Sequence, residues 1–180
     1  MSPDDIITFW MDEKHQPLWF QSTPEFDQSI RDKFLACVED AEAGKLNDWR
    51  QSPRDLLALI LVLDQFPLNI FRGQARGYRC GEIALTHTKY AVEQNYLTRY
   101  DATELAFVLL PLMHSENLAD QNLCVELMDR FELKENAKYA RHHRDIVRQF
   151  GRFPHRNQAL GRESTAAELA YLVSENAFTG

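Results

Sequence analysis

The stretch Ser52-Pro53-Arg54-Asp55-Leu56-Leu57-Ala58-Leu59-Ile60-Leu61-Val62-Leu63-Asp64-Gln65-Phe66-Pro67 decides how this chain folds. Ser52 can cap a helix whose first residue is Pro53, a position where a missing N–H costs nothing. The run Leu56 to Leu63 that follows is apolar around the whole helical circumference, so this helix is expected to be central and mostly buried. Pro67 should end it. Asp64 shares a face with Leu57, Ile60 and Leu61, which drives a carboxylate inward. An unpaired buried carboxylate is costly, so a cationic partner is expected, with Arg72 or an arginine of residues 152 to 162 as candidates. A structural ion pair and a catalytic acid are both consistent with that placement.

Outward from this segment the reading stays helical. Ser2-Pro3 opens a first helix through Phe9 and Trp10, and Thr23-Pro24 opens a second, with Phe26, Ile30, Phe34 and Val38 along one face and Gly44 at its end. Further helices are expected over residues 82–94, from Asp101 with Glu104 as its capping-box partner to Met113, over 117–131 and 135–150, and from Thr165 to about Asn176. Pro111 should kink the fifth helix or finish it just before His114. No period-2 stretch is flanked by hairpin signals. The expected fold is therefore all-α, about eight helices in antiparallel hairpins; no ~34-residue tetratricopeptide consensus aligns to them, so any solenoid character is degenerate.

A length of 180 residues is that of one domain, 1–180, able to bury roughly 70% of its unfolded surface. With 44% hydrophobic and 26% charged residues, collagen-like, low-complexity and disordered classes are excluded. Cys37, Cys80 and Cys124 are odd in number and widely spaced, which encodes neither a disulfide framework nor a zinc knuckle and points to a reducing cytoplasm. The acids near Met1 do not suit a signal peptide, and the longest apolar runs fall far short of the roughly 18 residues that span a bilayer, so no membrane partner is expected. The net charge of −7 argues against nucleic acid. Six arginines and one acid in 141–162 nevertheless leave this segment at +5 and the remainder at −12. Arginine outnumbers lysine 14 to 6, and its planar fork suits carboxylates and phosphates, although the same groups could pair with the protein's own acidic surplus.

Local rules are broken at a few places. In helix 135–150, Tyr139, His143, Ile146, Val147 and Phe150 share an apolar stripe at about 100° per residue, so His143 points inward, either as a satisfied core histidine or toward a ligand. His114-Ser115-Glu116 follows the Pro111 kink with Gln121 just beyond; there His114 and Glu116 could converge, but metal chelation would depend wholly on irregular backbone, and no metal is assigned. Two segments look alike, Gln65-Phe66-Pro67-Leu68-Asn69-Ile70-Phe71-Arg72-Gly73 and Arg152-Phe153-Pro154-His155-Arg156-Asn157 followed by Leu160-Gly161-Arg162. They read either as matched helix-ending turns or, since Arg72, Arg152, His155, Arg156 and Arg162 supply more donors than a turn needs, as an anion pocket. Glycine-rich nucleotide loops and the Gly-x-Ser-x-Gly elbow are absent.

Residues 64–73, Pro111-Leu112-Met113-His114-Ser115-Glu116, and Phe150-Gly151-Arg152-Phe153-Pro154-His155-Arg156-Asn157 with Leu160-Gly161-Arg162 resemble the bacterial domain-of-unknown-function family DUF924. The resemblance runs over nearly the whole chain, roughly 3–176, and departs from the family pattern at Leu68, where arginine is usual, and near Gly81, where an acid commonly follows. It implies an all-α, tetratricopeptide-like helical fold and no established activity or cofactor. Two functions are compatible with these residues. One is a site for a small anionic ligand, enzymatic in the sense that His114 or His143 would move a proton, Asp64 or Glu116 would orient the imidazole, and Gln65, Asn69, Arg72, Gln121, Arg152, His155, Arg156, Asn157 and Arg162 would bind. The other is a helical interaction module for a peptide or protein partner, with the polar motifs as internal struts.

Overall fold

The computed structural model describes residues 1–178, and every regular element among them is helical. The α-helices are α1 (Pro3–Met11), α2 (Pro24–Glu42), α3 (Pro53–Ile60), α4 (Phe66–Ile70), α5 (Gly81–Glu93), α6 (Ala102–His114), α7 (Leu118–Arg130), α8 (Lys134–Phe150) and α9 (Ala166–Leu172). Their starts follow from local chemistry. Ser2, Thr23, Ser52, Asp101, Asn117 and Thr165 each accept a first-turn backbone N–H, and Asp5, Glu104 and Glu168 close reciprocal capping boxes. At the other end of α8, Gly151 takes the left-handed conformation at φ 70° and donates to the Val147 carbonyl.

The central rod does not stop at Pro67. A π-helical turn, Leu61–Gln65, joins α3 to α4, with the Phe66 N–H reaching back to the Leu61 carbonyl. Pro67 lacks an N–H and its ring would crowd the carbonyl four residues back, that of Leu63; widening the preceding turn relieves that clash and carries the helix through. With α3, the π turn and α4 forming one rod, eight helical rods result among the described residues. Leu56 to Leu63 are all between 0% and 1% exposed, and the rod packs against α1, α2, α5 and α6. Connections of three residues fold α6 on α7 and α7 on α8 as helical hairpins, an arrangement consistent with a tetratricopeptide-like array. Pro111 lies inside α6, which runs on to His114.

A smaller apolar cluster of Ile146, Val147 and Phe153, with Phe150, Tyr171 and Phe178 against it, seats the C-terminal segment on α8. Tyr139, expected on the apolar stripe of this helix, is instead 62% exposed, because α7 covers the side that begins at Ala137 and Ala140. No described helix is long and apolar enough to cross a membrane.

Candidate functional site

The end of α6 is the pivot of the site. Beyond Pro111 the last carbonyls of the helix lack intrahelical donors, and side chains supply them: Gln121 donates to Met113 O (2.6 Å) and Ser115 O (2.7 Å), and Arg156 Nη1 donates to His114 O (2.9 Å). Ser115 Oγ donates to Asp120, which also pairs with Lys89. His114 is thereby held with its Nδ1 2.9 Å from Asp64 Oδ1, while Gln65 Nε2 donates to Asp64 Oδ2 at 2.6 Å. A carboxylate oxygen only accepts, so Nδ1 carries a ring proton and Nε2 is the nitrogen left free of Asp64.

The buried partner of Asp64 is therefore a histidine and an amide, in place of the arginine expected from the sequence. Arg72 turns instead to Asp27 on α2 (2.7 and 3.1 Å) and to Asn69, which donates to Gln65 O. The π turn explains the difference: it rotates Asp64 toward α6 before the chain leaves the rod, and α6 presents His114 there.

Glu116 lies in a second network. Arg162 grips it bidentately (2.7 and 3.0 Å), and the Phe153 N–H donates to it at 2.8 Å. Burial pushes its carboxyl upward, but those hydrogen bonds outweigh burial and leave it below the usual carboxylate range. Arg162 also binds Asn157, which holds Ser164, and Arg152 is taken up by Glu168 (2.6 and 2.8 Å). The Arg152 guanidinium holds the Glu168 carboxyl down to about 2. His143 is 4% exposed with Nδ1 on the Tyr139 carbonyl, and burial lowers it to about 3. His155, packed on Phe153 and Phe178, is lowered by burial to about 4, and its Nδ1 has no partner among the described residues.

A cleft of about 570 Å³ opens over this junction, lined by His114, Ser115 and Glu116 from the end of α6, by Arg156 and Leu160, and by Tyr78, Gly81 and Leu85 at the entrance to α5. Of the residues singled out from sequence, only His114, Glu116 and Arg156 line it. Asp64 and Gln65 stand behind His114; Asn69, Arg72, Gln121, Arg152, Asn157, Arg162, His143 and His155 act one layer further back or elsewhere. Arg156 is largely buried, stacked against Phe153 at 4.4 Å and Tyr78 at 5.0 Å, and burial lowers its hold on its proton. It has no carboxylate within salt-bridge distance among the described residues, and its Nε is shut off from solvent without a partner. The segment Arg76-Gly77-Tyr78-Arg79-Cys80-Gly81 was missed in the sequence; its only signal was a basic, aromatic stretch without helical period after the Gly73 turn. Arg76 and Arg79, at the rim, are occupied by Glu39 and Glu42. No group of three or more His, Cys, Asp or Glu side chains among the described residues is placed to hold a metal ion.

Fold and site together define an all-α helical protein with an arginine- and histidine-bearing cleft where the end of α6 meets the C-terminal segment. The chain belongs to the family described as bacterial protein of unknown function, DUF924, whose model matches residues 6–176. It is similar to the solved structure of a protein of unknown function from Agrobacterium tumefaciens, with a TM-score of 0.90 and 34% identity, over 95% of this chain and 96% of that chain. No curated protein matches it.

Proposed function

We propose that the cleft binds a small anionic ligand and that the His114–Asp64 dyad moves a proton on it. The observation that carries this reading is Arg156: a largely buried guanidinium that lines the cleft and has no carboxylate partner, in a protein whose other arginines of the 152–162 segment are matched to Glu168 and Glu116. Glu116 and Asp64 act on this guanidinium only from beyond salt-bridge distance, and an anion in the cleft would pair with it directly. Beside it, the ring of His114 is 23% exposed at its side chain while Asp64 is 3% exposed, so a hidden carboxylate orients an imidazole whose other nitrogen remains for chemistry. Glu116, already gripped by Arg162, positions the loop rather than the proton. The buried free thiols Cys37, Cys80 and Cys124 accord with a cytoplasmic setting. A thermal-shift titration with phosphate, sulfate and small carboxylates tests the reading. The parent protein is expected to gain melting temperature by mass action, and Arg156→Ala to lose that response; a flat response of the parent to every anion refutes it.

The rival reading, an interaction module whose polar groups are struts, draws support from the single hydrogen bond by which Arg156 closes the end of α6. Under it Arg156→Ala would lower the melting temperature of a protein that responds to no anion.

A further inference from the structure

Helix α5 begins without a side-chain cap: its N-cap is Cys80, which makes no capping hydrogen bond, and its first residue is Gly81. Gly81 and the next residue, Glu82, both line the cleft that Arg156 and His114 line. A Cβ built on Gly81 would meet nothing within 4 Å, so there is open space beside the start of the helix. The first-turn N–H groups of a 13-residue helix are thus left without a side-chain acceptor at the edge of a cleft that already holds a largely buried guanidinium with no carboxylate within salt-bridge distance among the described residues. Oriented amides and a partial positive charge at a helix start attract oxyanions, and a guanidinium fork does the same from a second direction.

Resting on the anionic-ligand reading, we propose that the cleft is a phosphate-monoester site, with the phosphoryl group held between the Arg156 guanidinium and the first-turn amides of α5, facing His114. Two donor-bearing elements border the cleft, the entrance of α5 and the segment after α8, and His114 at the end of α6 becomes a third when its Nε2 carries a proton. A tetrahedral phosphoryl group has three terminal oxygens to offer them, whereas a planar carboxylate has two. The proton shared by phosphate and His114 Nε2 can reside on either partner, with Asp64 stabilising the imidazolium when it lies on the ring. The ester's organic part has Leu85, Pro111 and Leu160 to lie against, and about 570 Å³ accommodates a small metabolite. Glu82 is the opposing charge in this arrangement and should weaken binding.

Titration calorimetry at pH 7 and low salt, with phenyl phosphate, inorganic phosphate and benzoate as probes, tests the proposal. Phenyl phosphate is expected to bind with a stoichiometry of about one, and both inorganic phosphate and benzoate at least tenfold more weakly. Gly81→Glu, for which the open space leaves room and whose carboxylate suits a helix start, should keep the parent's melting curve and weaken phenyl phosphate at least tenfold; Glu82→Gln should tighten it. Benzoate binding as tightly as phenyl phosphate overturns the phosphate assignment while sparing the anionic-ligand reading. Undiminished affinity in Gly81→Glu removes α5 from the site, and absence of heat with all three probes, together with a flat thermal-shift panel, overturns both.

Discussion

The smallest change that reports on the site is at Asp64. Its oxygens receive His114 Nδ1 and Gln65 Nε2, and no arginine touches them. Asp64→Ala therefore breaks hydrogen bonds to a charged acceptor and strands no guanidinium, so the expected loss is about 1.5–3 kcal/mol, below the roughly 3–5 kcal/mol of a broken buried ion pair. Urea unfolding of the two proteins distinguishes these values. The same substitution frees the imidazole of His114 to turn, since nothing else among the described residues holds its Nδ1. If the dyad moves a proton, Asp64→Asn should then impair turnover more than ligand affinity, because the amide can keep the ring near its place while favouring the wrong tautomer.

At the scale of elements, the two prolines act through the carbonyls they disturb. Pro67 is accommodated by the π turn, and α4 then ends in carbonyls that receive a close neighbour, Gly77. A Cβ at Gly77 would stand 3.1 Å from Phe71 O and 3.3 Å from Pro67 O, both backbone atoms that cannot swing aside. Gly77→Ala should accordingly destabilise by about 1–3 kcal/mol through overpacking, read from the denaturation midpoint, and should loosen the 76–81 segment that borders the cleft. Gly81→Ala, with open space around it, should be close to neutral by the same measurement. Pro111, by contrast, leaves α6 continuous and hands the capping of its end to Gln121 and Arg156.

Over the whole molecule, buried neutral histidines set the acid limit of stability. Burial lowers His143 to about 3 and His155 to about 4, both below the 6.5 of an unfolded histidine, and His87 is shifted in the same direction. Between those values the unfolded chain binds protons that the folded one does not. Stability is thus fully present above about pH 6.5 and falls as pH drops through the window toward 4 and 3, by up to about 1.4 kcal/mol per pH unit for each histidine. The depressed carboxyls of Glu116 and Glu168 add to the loss only below their own unfolded values near 4.5. His143→Leu should flatten the slope of unfolding free energy between pH 4.5 and 6.5 by about one proton; an unaltered slope would mean that His143 is not buried neutral. The C-terminal segment, carrying Phe178 against both His143 and His155, is expected to loosen first as they charge.

What the sequence by itself determined is most of what has its cause within one helical turn or one helical face, the passage of the rod through Pro67 and the exposure of Tyr139 excepted. Helix starts are written in Ser2, Thr23, Ser52, Asp101 and Thr165, the stop of α8 in Gly151, and the buried rod in Leu56 to Leu63, because capping and amphipathic burial depend on residues three or four positions apart. The motifs around His114 and Arg156 were legible as irregularities of such local patterns. Which charge meets which was decided only by tertiary structure. His114 finds Asp64 across 50 positions, Arg162 finds Glu116 across 46, and Arg72 finds Asp27 across 45, and several carboxylates could have served each arginine equally well. The widening of the rod at Leu61–Gln65 turned Asp64 toward α6, and the seating of residues 152–162 on α8 then left one guanidinium, Arg156, facing the cleft while its neighbours were neutralised. Pairing at such separations follows from how packed helices are rotated and spaced, which no short window of sequence contains.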